Sequence, residues 1–163
     1  MSQPVHSKIL VFLVRDEGTQ FAEGGEPLPL IFGPMPTVLF VEDNPQIRSF
    51  VAEYLRSKGF DVHAVDSGEA AVSMMQIATF DVVISDHRLE GPLSGVDILA
   101  CHKRHSPEKA RILFTAVASE QLRDQCEPMN AVYLQKPVPL DELLENVKTS
   151  LGHVASERPC PSS

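Results

Sequence analysis

Thr37-Val38-Leu39-Phe40-Val41-Glu42-Asp43-Asn44-Pro45 is the stretch whose reading decides the fold. Its apolar run predicts a strand over 37–41, and the acidic pair marks where the strand stops. Asn44 is a favoured helix N-cap, and Pro45 suits the first helical position, where a missing N–H costs nothing. Ile47, Phe50, Val51, Tyr54 and Leu55 recur at helical spacing and predict one inward face. Lys58-Gly59 supplies a cation and then a glycine at the expected helix end.

The same strand-then-helix unit repeats downstream. Strands are predicted at 60–65, 82–85, 111–115 and 131–135. Ser67 caps a helix whose apolar positions include Ala71, Met74, Met75 and Ala78. Further helices are predicted at about 96–105, 119–126 and 139–151, the last with Leu140, Leu143, Leu144 and Val147 as its stripe. Val82–Ser85 is continuously apolar, as a central strand covered on both faces should be. Alternating strands and helices with near-obligatory right-handed crossovers predict an α/β fold. It is a five-stranded doubly wound parallel sheet with helices on both faces and ligands at the carboxyl edge.

Lone polar residues stand where these runs end: Glu42 and Asp43, Asp86, Thr115 and Lys136. On one sheet edge they would converge as three carboxylates, a hydroxyl and an ammonium. That set suits a divalent cation and a phosphoryl group. A carboxylate can attack phosphorus as a covalent nucleophile, but two negative groups repel until a cation intervenes. Mg2+ prefers carboxylate oxygens and phosphoryl oxygens. Asp43 and Asp86 would bind it directly and Glu42 through a water. Lys136 would pair with one phosphoryl oxygen and Thr115 would donate to another, since phosphoryl transfer is chiefly positioning and charge neutralisation. Read singly, each residue is as well explained as a cap, a turn former or a strand stop.

Four segments carry a resemblance: Val38–Asn44, Asp81–Asp86, Ile112–Ala116 and Tyr133-Leu134-Gln135-Lys136-Pro137. In that order and spacing they resemble the receiver domain of two-component response regulators, over roughly residues 37–151. The resemblance implies the flavodoxin-like strand order 2-1-3-4-5. It implies Asp86 as phospho-acceptor, Mg2+ as cofactor, and the backbone carbonyl of Arg88 as a further metal ligand. It makes Thr115 and Tyr133 the switch pair and implies a cis peptide before Pro137. The implied partner is a sensor histidine kinase or a histidine phosphotransfer protein. The face of helix 4, strand 5 and helix 5 would be the output surface, and a homodimer through it is one arrangement it allows. The chain departs from the family in the loop after Asp86, where Glu90 replaces a usual proline and Gly95 comes one residue late.

Composition bounds the rest. With 163 residues, 43% hydrophobic and 22% charged, the chain fits one ordinary globular domain. A formal charge of −8 argues against a nucleic-acid surface. Three widely spaced cysteines without CxxC fit a reduced, cytoplasmic setting. The apolar run 9–14 is too short to span a bilayer and lacks a cleavage site, so no membrane insertion is expected. Residues 1–36 form an N-terminal extension of uncertain structure, either an arm or an over-extended start before Met35. Residues 37–152 form the receiver, and residues 153–163 a flexible tail.

The expected role is therefore a stand-alone receiver, not an enzyme, with output by protein contact or onward relay. One rival is a receiver-like adaptor that works without phosphorylation. Another is an aspartyl-phosphate phosphohydrolase, opposed by Arg88 standing where such enzymes have a second Asp. His102 and His105 could bind metal, but with Lys103 and Arg104 between them a solvated face is expected. His87 either lines the site or is a plain loop residue.

Overall fold

The computed structural model describes residues 34–156. The expected extension lies outside the described residues up to residue 33, and the expected tail does so from residue 157. The elements in chain order are β1 (Thr37–Val41), α1 (Pro45–Ser57), β2 (Asp61–Val65), α2 (Gly68–Ile77), β3 (Val82–Ser85), α3 (Gly95–His105), β4 (Ala110–Thr115), α4 (Glu120–Cys126), β5 (Ala131–Gln135) and α5 (Leu140–Ser156). All strand pairings are parallel, and the order is β2-β1-β3-β4-β5, as expected.

Successive strand residues feed opposite faces, which divides the interior into two cores. Val38, Phe40, Ile84 and Ile112 pack with Val51 and Leu55 of α1 and Leu143 and Val147 of α5. Leu39, Val41, Val83 and Leu113 pack with Ala71 of α2, Ile98 and Leu99 of α3, and Leu122 of α4. Every residue of β3 and β4 is buried, because helices cover both of their faces. Burying one such aliphatic side chain contributes roughly 1.5–3 kcal/mol, so these central strands make a stiff support for whatever follows them.

Helix starts are fixed locally. Asn44 Oδ1 accepts from the amides of Gln46 at 3.0 Å and Ile47 at 3.1 Å. Ser94 and Asp97 form a reciprocal capping box at α3, and Ser67 and Ser119 cap α2 and α4.

Four expectations need correction. The buried residues of α1 are Val51, Ala52 and Leu55, while Ile47 and Phe50 are exposed. The inward face is thus shifted toward Ala52 relative to the expected one. Ala78 lies outside the apolar face of α2, as its exposed, extended C-cap. His102 is not solvated: it is 2% exposed, with Nε2 3.2 Å from the Phe80 carbonyl. Finally, α5 continues to Ser156 rather than stopping near Leu151. Pro128 falls in a short 3-10 turn, Glu127–Met129, that follows α4 and ends on Asn130 at φ +51°.

Candidate functional site

The ladder hydrogen bonds of the sheet continue just past the strands and set the site. The Glu42 amide donates to Val65 at 3.1 Å, the Asp86 amide to Val41 at 2.9 Å, and the Lys136 amide to Thr115 at 2.8 Å. Glu42, Asp86 and Lys136 are therefore each the first residue beyond a strand, held by the neighbouring strand's last carbonyl. The peptide bond between Lys136 and Pro137 is cis.

These backbone restraints bring four of the expected residues together. One carboxylate oxygen from each of Glu42, Asp43 and Asp86 lies within 4.8 Å of the others. Lys136 Nζ sits 2.6 Å from Glu42 Oε2 and 3.1 Å from Asp86 Oδ2. Glu42 is 1% exposed and Asp86 9%, so the ammonium neutralises charges that water reaches poorly. Burial pushes the Glu42 carboxyl above its ordinary range, although the Lys136 hydrogen bond and charge pull it down. Three hard oxygen donors that close together, one with its charged form disfavoured, fit an oxygen-seeking divalent cation such as Mg2+.

Thr115 lies at the same edge, completely buried, with Oγ1 accepting from the Val117 amide at 3.2 Å. Tyr133, half-buried on β5, donates its hydroxyl to the Val117 carbonyl and accepts from the Ser119 amide at 3.3 Å. The Arg88 amide donates to Asp86 Oδ1 at 3.2 Å, an Asx-turn contact. The observed contact of Arg88 is through this N–H. His87 is half-buried, and its carbonyl accepts from the Gly95 amide at 3.0 Å. Its Nδ1 is buried without a partner among the described residues.

Two further residues hold the site in shape: Arg48, which sequence reasoning missed, and Gly95, which it placed in the loop after Asp86 without a structural task. Arg48 Nη1 donates to the carbonyls of Glu42 at 2.7 Å and Asp43 at 3.0 Å, tying the acidic turn to α1. Its place one turn inside α1 was the only available signal. Gly95 starts α3 against the Asp86 backbone: an added Cβ would lie 2.2 Å from the Asp86 carbonyl oxygen. Only glycine permits that approach, so the late glycine of the altered loop still does a packing task. A cleft of about 530 Å³ opens beside the acids, lined by Asp43, Arg48, Asp66, Glu69 and Glu90 among others. Its predominantly acidic wall favours cations at the entrance.

A family model described as the response regulator receiver domain matches residues 38–148. A cyclic di-GMP phosphodiesterase of Thermotoga maritima is 32% identical over 108 residues, covering 66% of this chain and 28% of that protein. The sensor histidine kinase TmoS of Ectopseudomonas mendocina is 33% identical over 135 residues, covering 80% of this chain and 14% of that protein. Among solved structures, the chemotaxis protein CheY4 of Vibrio cholerae superposes with a TM-score of 0.65 at 25% identity. That match covers 71% of this chain and 98% of the other. The chain thus spans less than a third of these two curated relatives.

Proposed function

This chain belongs to the response regulator receiver domain family, and from that premise we propose that Asp86 accepts a phosphoryl group. The donor is a sensor histidine kinase or a histidine phosphotransfer protein, and the signal leaves by protein contact or onward relay. The observation that carries this reading is the meeting of Glu42, Asp43 and Asp86 within 4.8 Å, with Lys136 Nζ bridging two of them.

In the transfer, an Asp86 carboxylate oxygen forms a bond to phosphorus as the donor's P–N bond breaks. The electron pair of that bond stays on the imidazole nitrogen. Lys136 is placed to follow the charge from the carboxylate to the phosphoryl oxygens. Thr115 offers a hydroxyl donor from the adjacent strand, since its present bond with the Val117 amide uses only the oxygen's acceptor side. Glu42, Asp43 and Asp86 would hold Mg2+, which when bound supplies the charge neutralisation that lets anion approach anion.

Output would use a two-state equilibrium of the switch pair. Thr115 and Tyr133 both bind Val117, so a shift of one is felt by the other. The test is direct: acetyl phosphate with Mg2+ should add one phosphoryl group to the folded chain, and Asp86→Asn should abolish the addition. Labelling that persists in Asp86→Asn refutes the assignment.

A further inference from the structure

We propose that Arg123 of α4 latches the switch aromatic Tyr133 in its inward position, and so sets the resting balance of the switch before any phosphoryl group arrives. This inference rests on the reading of Tyr133 as the switch residue. The Arg123 guanidinium carbon stands 4.4 Å from the centre of the Tyr133 ring, within the range of an attractive cation–π contact. The ring is half-buried and the arginine exposed, so the guanidinium covers the side of the ring that faces outward.

The latch closes a continuous loop of contacts. Thr115 Oγ1 binds the Val117 amide, the Val117 carbonyl binds the Tyr133 hydroxyl, and that hydroxyl also accepts from Ser119. Ser119 is the N-cap of α4, the helix that carries Arg123. The tip of the tyrosine is therefore held by the loop before α4, and its face by α4 itself. Any movement of Thr115 toward Asp86 must pass through this unit. Among the described residues, no carboxylate lies within ion-pair distance of Arg123, so its charge is free to act on the ring.

The position of the cation accounts for the half-buried seat of the ring. Two hydrogen bonds fix the hydroxyl only while α4 stays against β5, and the guanidinium ties those two elements together. Affinity for a phosphoryl mimic scales with the fraction of chains already in the competent arrangement. Removing an exposed cation–π contact should lower the ratio of inward to outward rings by roughly two- to fivefold.

The chain has two tyrosines, Tyr54 and Tyr133, so ring-labelled tyrosine gives a spectrum in which one signal reports the latch and the other serves as a control. In Arg123→Met, the Tyr133 ring signal should move toward its solvent-exposed value while Tyr54 stays in place, showing that the fold is intact. Arg123→Lys, which keeps a cation, should fall between. Beryllofluoride with Mg2+ should restore the Tyr133 signal in Arg123→Met, with half-saturation at a concentration up to about fivefold above that of the parent chain. An unmoved Tyr133 signal in Arg123→Met overturns the latch. If the parent chain takes no beryllofluoride, the phospho-acceptor reading falls instead, and the ring signals without ligand still decide the latch.

Discussion

His102 should make this fold lose stability in mild acid, well before its carboxylates do. The imidazole is 2% exposed, packed beside the buried Arg111 guanidinium, and its Nδ1 has no partner among the described residues. Burial, assisted by the Arg111 charge, lowers its pKa from 6.5 to about 4, against the pull of the Phe80 carbonyl and Glu108. Between those two values the unfolded chain takes up a proton that the folded chain refuses. Stability is therefore full above 6.5 and falls as the pH drops toward 4. From about pH 7.5 to about pH 4.5, this one residue should cost about 2.5 kcal/mol.

The assay is urea unfolding across that pH range, comparing the parent chain with His102→Leu. The leucine fills similar space and cannot take a proton. It lowers stability at neutral pH by leaving the Phe80 carbonyl without its partner, so the readout is the slope with pH rather than the absolute value. The parent should lose about 2.5 kcal/mol more than the variant on acidification. Equal slopes would refute the reasoning, because they would mean that the folded chain accepts the proton as readily as the unfolded one.

Gly95→Ala should destabilise the fold by roughly 1–3 kcal/mol and slow phosphorylation, since the new methyl meets the Asp86 carbonyl at 2.2 Å; urea unfolding and acetyl phosphate labelling measure the two effects. Lys136→Met should tighten Mg2+ binding, by removing a cation that lies 2.6 Å from Glu42, yet slow phosphorylation on the order of a hundredfold. Calorimetric Mg2+ titration and labelling rates separate those opposite changes. Arg111→Met should cost about 1–3 kcal/mol in unfolding free energy, because the guanidinium serves the carbonyls of Met129, Ser106 and Pro107 in a buried place.

The sheet was legible because each strand is a short apolar run and the first two helices open with readable caps, Asn44 and Ser67; the caps of α3 and α4, Ser94 and Ser119, emerged only in the structure. The meeting of Glu42, Asp43, Asp86 and Lys136 was legible for a related reason: parallel topology sends every strand's end to one edge. What was not legible depended on rotation or on distant backbone. Ile47 and Phe50 share helical spacing with Val51 and Leu55, but only packing against the sheet decides which side is buried. His102 sits among charged residues in sequence, yet its partner is a carbonyl 22 residues away. Arg111 interrupts an apolar strand, and the three carbonyls that accept from it leave no mark in the sequence. Arg48 and Arg123 likewise act on a turn and a ring that spacing alone does not pair with them.

The central claim is that a carboxylate at position 86 accepts phosphorus beside a cation. Its most direct measurement is the chain's mass after acetyl phosphate treatment, with Mg2+ or with a chelator, followed by borohydride reduction to mark the residue that carries the phosphoryl group. The account predicts one added phosphoryl group with Mg2+ and none with the chelator, and homoserine at position 86 after reduction. A group carried at another position, or one added equally well in the chelator, would contradict it.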